Sequence, residues 1–115
     1  MRTVSEIYNF IGDCLTSQIT ESWIKSELKI EITEGMVGYN GGFVNSQEEY
    51  KSFSVRDFPR ELRKEIKNLH KTTTEGGNNR WNRAIFRLYP DGKFDMEFIW
   101  DQELHDEIDR LNAKR

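Results

Sequence analysis

The 115-residue chain is 32% charged and 36% hydrophobic, enough apolar material for one domain around one core, and its 12% aromatic content excludes a disordered chain. Cys14 is the only cysteine, which excludes an internal disulfide; beside apolar neighbours it reads as a small core residue and not a nucleophile. Net charge is −3 but uneven: residues 1–50 hold three basic and eight acidic side chains, 51–83 nine and four, and 91–109 one and eight. The strongest concentration is acidic, which repels phosphate and attracts basic proteins, unlike the dominant basic field of a nucleic-acid binder.

Taken in chain order, residues 3–16 set Val4, Ile7, Tyr8, Ile11 and Leu15 at helical spacing, with Thr3 or Ser5 as the cap and Gly12 weakening the end. Over 24–32, Ile24, Leu28, Ile30 and Ile32 alternate with Lys25, Glu27, Lys29 and Glu31, which predicts a half-buried strand. Glu34-Gly35 reads as a turn into a second strand, "MVGYN". Asn40-Gly41-Gly42 reads as a tight turn, with "FVN" a short third strand after it. Residues 46–57 are a polar connection anchored by Tyr50, Phe53 and Val55. Pro59 suits the first turn of a helix capped by Asp57, burying Leu62, Ile66 and Leu69 and exposing Arg60, Arg63, Lys64, Lys67 and Lys71. "TTTEGGNN" breaks that helix into a flexible loop.

A hairpin follows. Tyr89-Pro90-Asp91-Gly92 fits a type I turn with Gly92 left-handed. If Tyr89 faces Lys93, Leu88 meets Phe94, Phe86 meets Met96 and Ala84 meets Phe98, all apolar. On the other face Arg87 meets Asp95, Ile85 meets Glu97 and Arg83 meets Ile99. Trp100 shares the parity of the buried face. Residues 102–113 place Leu104, Ile108 and Leu111 on one side of a helix capped by Asp101, with Arg110, Lys114 and Arg115 at its other end. The order is α-β-β-(β)-α-β-β-α: a single α+β domain over 1–115, with a mainly antiparallel sheet of four to five strands. The chain starts without an apolar run of signal-peptide length and no run approaches a membrane span, so a soluble cytoplasmic protein with no membrane association is expected.

Three chemistries compete for the carboxylates of "RLYPDGKFDMEFIWD". Asp95 and Glu97, about 7 Å apart on one strand face, have the separation of a catalytic pair. The register instead sets them opposite Arg87 and Ile85 on an outer face, which favours an ion-paired surface. That face, mixing Ile85, Ile99 and Tyr89 with carboxylates, also has the makings of a protein interface. His105 among Glu103, Asp106, Glu107 and Asp109 is a weak metal signal, since zinc sites bring more His or Cys ligands. Neither a nucleophilic triad nor a phosphate-binding glycine pattern is present, and no catalytic group, metal or cofactor is expected. The basic helix 60–71 is the best case for a nucleic-acid-binding regulator. Glu61 and Glu65 interrupt it, however, no aromatic platform accompanies it, and pairing with the acidic C-terminal helix explains it equally well.

"WNRAIFRLYPDGKFDMEFIWD", with Trp81 before an alternating strand, a "DGKF" turn and an aromatic-Asp ending, resembles the YezG-like immunity proteins. Trp23 before "ELKIEIT" and the helix 60–69 before the hairpin fit the same layout, while the "HKTTTEGGNNR" loop and the charged C-terminal helix depart from it. The resemblance implies a cytoplasmic antitoxin that inhibits a cognate toxin by tight binding without catalysis, as immunity proteins of contact-dependent growth inhibition systems do. A nuclease toxin carries a basic groove for phosphates, and an acidic surface suits it. On this reading the candidate toxin-binding residues are Tyr89, Asp91, Asp95, Glu97, Asp101, Glu103, Asp106 and Glu107. A monomer, or a weak homodimer through the outer sheet face, is expected, with no direct contact to nucleic acid.

Overall fold

A computed structural model describes residues 2–77 and 79–113; Lys114 and Arg115, expected at the end of the last helix, lie outside them, as does Asn78 of the loop. The elements are α1 (Val4–Thr16), β1 (Trp23–Thr33), β2 (Met36–Asn45), β3 (Tyr50–Ser52), a 3₁₀ turn (Val55–Asp57), α2 (Glu61–Thr74), β4 (Arg83–Leu88), β5 (Phe94–Ile99) and α3 (Gln102–Ala113). The five strands form one antiparallel sheet in the order β3-β2-β1-β4-β5. The α+β class and the element order are those expected.

Thr3 caps α1 in a reciprocal box. Its hydroxyl accepts from the Glu6 N–H at 3.2 Å, and the Glu6 carboxylate accepts from the Thr3 N–H at 2.9 Å. Ile7, Ile11, Cys14 and Leu15 of α1, with Leu62, Ile66 and Leu69 of α2, pack on Leu28, Ile30, Ala84, Phe86 and Leu88 to make the core. The other face of the sheet is open. Cys14 is buried in the core beneath the helices, and burial pushes its thiol up to about 11, so it is protonated and inert at neutral pH.

Several expectations are corrected. Ile24 is 44% exposed, because the register slips between Trp23 and Lys25 and turns its side chain away from the core. Gly41 and Gly42 do not turn the chain; β2 runs straight through them, and "FVN" is its end. The true third strand lies inside the segment read as a polar connection, where Asn45 clamps the preceding loop by accepting from the N–H groups of Gln47 and Glu49 at 3.0 and 2.9 Å. Of that segment's anchors only Phe53 is buried, while Tyr50 and Val55 are exposed. Asp57 sits in the 3₁₀ turn, and α2 begins after Arg60 without a side-chain cap. The threonines do not break α2. Hydroxyls of Thr73 and Thr74 donate to the carbonyls of Leu69 and His70 at 2.8 and 2.7 Å and carry the helix through Thr74, before Gly76 and Gly77 turn left-handed.

The β4–β5 hairpin has the expected register at all six pairs. Gly92 has φ 88°, and the Tyr89 N–H donates to the Lys93 carbonyl at 2.9 Å. The inner side of β5 is nevertheless uncovered, with Phe94 44% and Phe98 38% exposed. Two helices packed side by side span about 20 Å, against about 24 Å for five strands, and α1 touches β5 at its start, where Tyr8 meets Phe94. Trp100 is only half-buried and lies under the Arg80 guanidinium at 4.0 Å. No residue of α3 is fully buried: Leu104 and Ile108 are partly covered and Leu111 is exposed.

Candidate functional site

The carboxylates of β5 are set by the pleat and held by arginines. Arg87, opposite Asp95, donates to Asp95 and Glu97 at 2.9 Å each, so one guanidinium serves two carboxylates. Hydrogen bonds to Glu97 and then Asp95 raise its pKa further, so its charge is permanent. Arg83 repeats the pattern one row on, donating to Asp101 at 2.8 Å and to Glu31 at 2.9 Å. The diagonal pair Arg87–Glu97 and the Arg83–Asp101 pair escaped sequence reading, although both follow from a register in which i, j±2 neighbours come within reach of a long side chain. The outer face is therefore a network of alternating charge with no free acidic pair at its centre.

The eight candidate residues do not form one patch. Tyr89 and Asp91 lie at the hairpin tip, where Asp91 accepts from the Lys93 N–H at 2.9 Å and closes the turn. Asp95 and Glu97 lie along β5. Asp101, Glu103, Asp106 and Glu107 lie at the far end, roughly 20 Å from the tip by the rise of an extended strand. From the tip they run down β5 and then onto α3, whose far end reaches Glu34 in the β1–β2 turn. Tyr89 also borders a shallow groove of about 300 Å³ on the open sheet face, floored by Gly42 and Val44 and flanked by Lys25, Tyr50 and Arg87.

Asp101 anchors α3. Its carboxylate accepts from the Leu104 N–H at 3.0 Å, and its backbone N–H and carbonyl pair with the side chain of buried Asn82 at 2.7 and 2.9 Å. The bonds from Leu104 and then Arg83 hold its carboxyl below the usual range. Because the folded pKa is depressed, this anchor is intact above the ordinary carboxylate range and is lost only as pH falls through the lowered value. Asp101→Ala is expected to speed amide exchange several-fold across the first turns of α3, with β1 and β4 unchanged; equal exchange in α3 would show that the cap does not hold it.

Beyond the anchor, Glu103, Asp106, Glu107 and Asp109 are exposed on α3. Asp106 accepts from Gln102 at 2.9 Å, and Asp109 lies 3.3 Å from the His105 imidazole. Neither lysine nor arginine pairs with any of the four among the described residues. Beneath α3 a cleft of about 320 Å³ opens between Ile108, Trp100 and the Trp81–His70 contact. Among the described residues, no set of three His, Cys, Asp or Glu side chains converges as metal ligands, and no helix is long and apolar enough to cross a membrane.

The basic face of α2 differs from its reading in two ways. Glu65 does not interrupt it; that residue is only 5% exposed, turned inward beneath Arg2. Nor do Arg60, Lys64, Lys67 and Lys71 pair with α3, and they form no ion pair among the described residues. Arg63 lies 5.2 Å over the Tyr39 ring. The molecule thus carries a basic helix face and, separately, an acidic strip along β5 and α3. Compared with models of protein families the chain matches none, and among curated proteins it likewise has no match.

Proposed function

We propose that this protein is a bacterial immunity protein of the YezG-like kind, acting in the cytoplasm, which neutralises a cognate toxin by binding and without a catalytic step. The toxin is a nuclease domain, and the acidic strip lies against its basic phosphate-binding groove, as in contact-dependent growth inhibition. The observation that carries this reading is the exposed carboxylate group of α3, Glu103, Asp106 and Glu107, which has no cationic partner among the described residues. Such a surface costs self-repulsion and becomes favourable only against a basic partner.

The test is co-expression with the toxin domain encoded by the neighbouring gene, followed by size exclusion and stopped-flow mixing. The expected result is one co-eluting species and death of cells that lack this chain. Replacing Glu103, Asp106 and Glu107 together by Ala slows association roughly tenfold at low salt and flattens its salt dependence. Unchanged association kinetics would remove α3 from the interface, and separate elution without toxicity would remove the immunity reading.

One observation favours a second reading. The cations of α2, without ion-pair partners among the described residues, suit a nucleic-acid-binding regulator. Retention on heparin that is lost on changing Lys64 and Lys67 to Glu, with no toxin in the gene neighbourhood, would place this reading first.

A further inference from the structure

We infer that the free edge of β5 is a docking site for an extended segment of the partner, one in which large apolar and cationic side chains alternate. The inference rests on the binding role proposed above and names the chemistry of the partner.

Three features of β5 carry it. The first is the hydrogen-bonding edge. Tyr89 and Lys93 are a hydrogen-bonded pair, so in the alternating antiparallel pattern Asp95, Glu97 and Ile99 bond to β4. The N–H and C=O groups of Phe94, Met96 and Phe98 then point away from the sheet. The opposite edge, β3, is only three residues long, whereas β5 presents six without proline, lysine or an internal bulge to blunt it.

The second feature is the bare inner side. Phe94 and Phe98 are well exposed beside partly buried Met96, while their inward edges pack on Phe86 and Trp81 at ring distances of 5.5 and 4.9 Å. A strand added at this edge would lay its own apolar side chains beside this row and extend the core outward. The third feature is charge. On the other side Asp95 and Glu97 share Arg87 alone, leaving the edge negative. Residues added opposite them land on the same face, where an opposite charge is favourable and a like charge is not.

The charge pattern also decides between occupants. Residues directly opposite in an antiparallel pair point to the same face. A two-fold pairing of β5 with a second copy, centred on Met96, sets Asp95 against Glu97. Centred on Asp95 or Glu97, it sets that residue against itself. Each of these three central registers, the ones that overlap most of β5, opposes carboxylates, so a long self-pairing is disfavoured and a cationic, apolar strand is favoured.

The experiment uses two synthetic peptides, one alternating lysine and valine and one alternating glutamate and valine, titrated into the intact protein and followed by backbone amide NMR. The lysine peptide is expected to shift and protect the amides of Phe94, Met96 and Phe98, and to bind roughly tenfold tighter than the glutamate peptide, as two charge pairs would dictate. Met96→Pro removes one outward N–H from an edge position where proline is tolerated, and should abolish binding. Should that variant not fold, Asp95→Asn with Glu97→Gln is expected to erase the preference between the peptides. No binding, shifts confined to α2 or the open sheet face, equal affinity for both peptides, or binding indifferent to Met96→Pro would each overturn the inference. A toxin complex that survives Met96→Pro refutes the edge and leaves the immunity role standing. Peptide binding at β5 without any cognate toxin supports the edge and refutes that role.

Discussion

Replacing Gly41 by Val is expected to lower stability by about 3 kcal/mol, read as a drop in the urea midpoint at unchanged slope. The reason is backbone and not side chain. A Cβ at Gly41 would lie 2.1 Å from the Glu27 carbonyl oxygen and 3.0 Å from the Leu28 Cα, atoms of the neighbouring strand that cannot move without opening the β1–β2 ladder. Gly42 is under the same constraint from β3, with the Lys51 carbonyl oxygen 2.3 Å away. Gly38 is the control: it lies on the same strand, nothing stands within 4 Å of its missing Cβ, and Gly38→Val should be neutral or mildly stabilising. Equal tolerance at 38 and 41 would mean that β2 does not press against β1 in this way.

Trp81→Ala is expected to cost about 3–5 kcal/mol, the range for removing a buried aromatic. Trp81 is 1% exposed and joins three parts of the fold. Its indole N–H donates to the Thr73 hydroxyl at 2.8 Å, which itself donates to the Leu69 carbonyl at 2.8 Å, tying the last turn of α2 to the start of β4. Its carbonyl lies 2.9 Å from a ring nitrogen of His70, and its ring packs on Phe98 of β5. Thr73→Val keeps the volume and removes the acceptor, and should cost about 1–3 kcal/mol, the penalty of an unpaired buried donor. The two values, measured by urea unfolding, separate packing from the relay; a Trp81→Ala loss no larger than that of Thr73→Val would mean the ring contributes little packing.

The parts of the fold that could be read from the sequence are those in which local pattern and tertiary contact agree. The hairpin register was legible to the residue because Asp91-Gly92 and six alternating pairs all demand it. The helices α1 and α3 were legible from spacing and from the capping residues Thr3 and Asp101. Glycine misled at 41–42, since a glycine chosen for close approach and one chosen for a turn look alike in a sequence. The threonines at 72–74 misled because hydroxyl bonds to their own helix offset a poor propensity. At the candidate site, the Arg87–Asp95 pair was legible. The second bond of Arg87 and the partner of Arg83 depend on reach across the sheet. The bare inner side of β5 depends on how far two helices extend, which no local pattern encodes.

Finally, α3 is fastened by polar clasps at its two ends, Asp101 with Asn82 and Arg83 at one and Asn112 with Glu34 at the other, and gives no side chain to the core. The exposed charges of such a helix can change one residue at a time at little cost to the core. On the binding role proposed above, α3 is where the protein can keep pace with a changing toxin while the sheet and its core stay fixed.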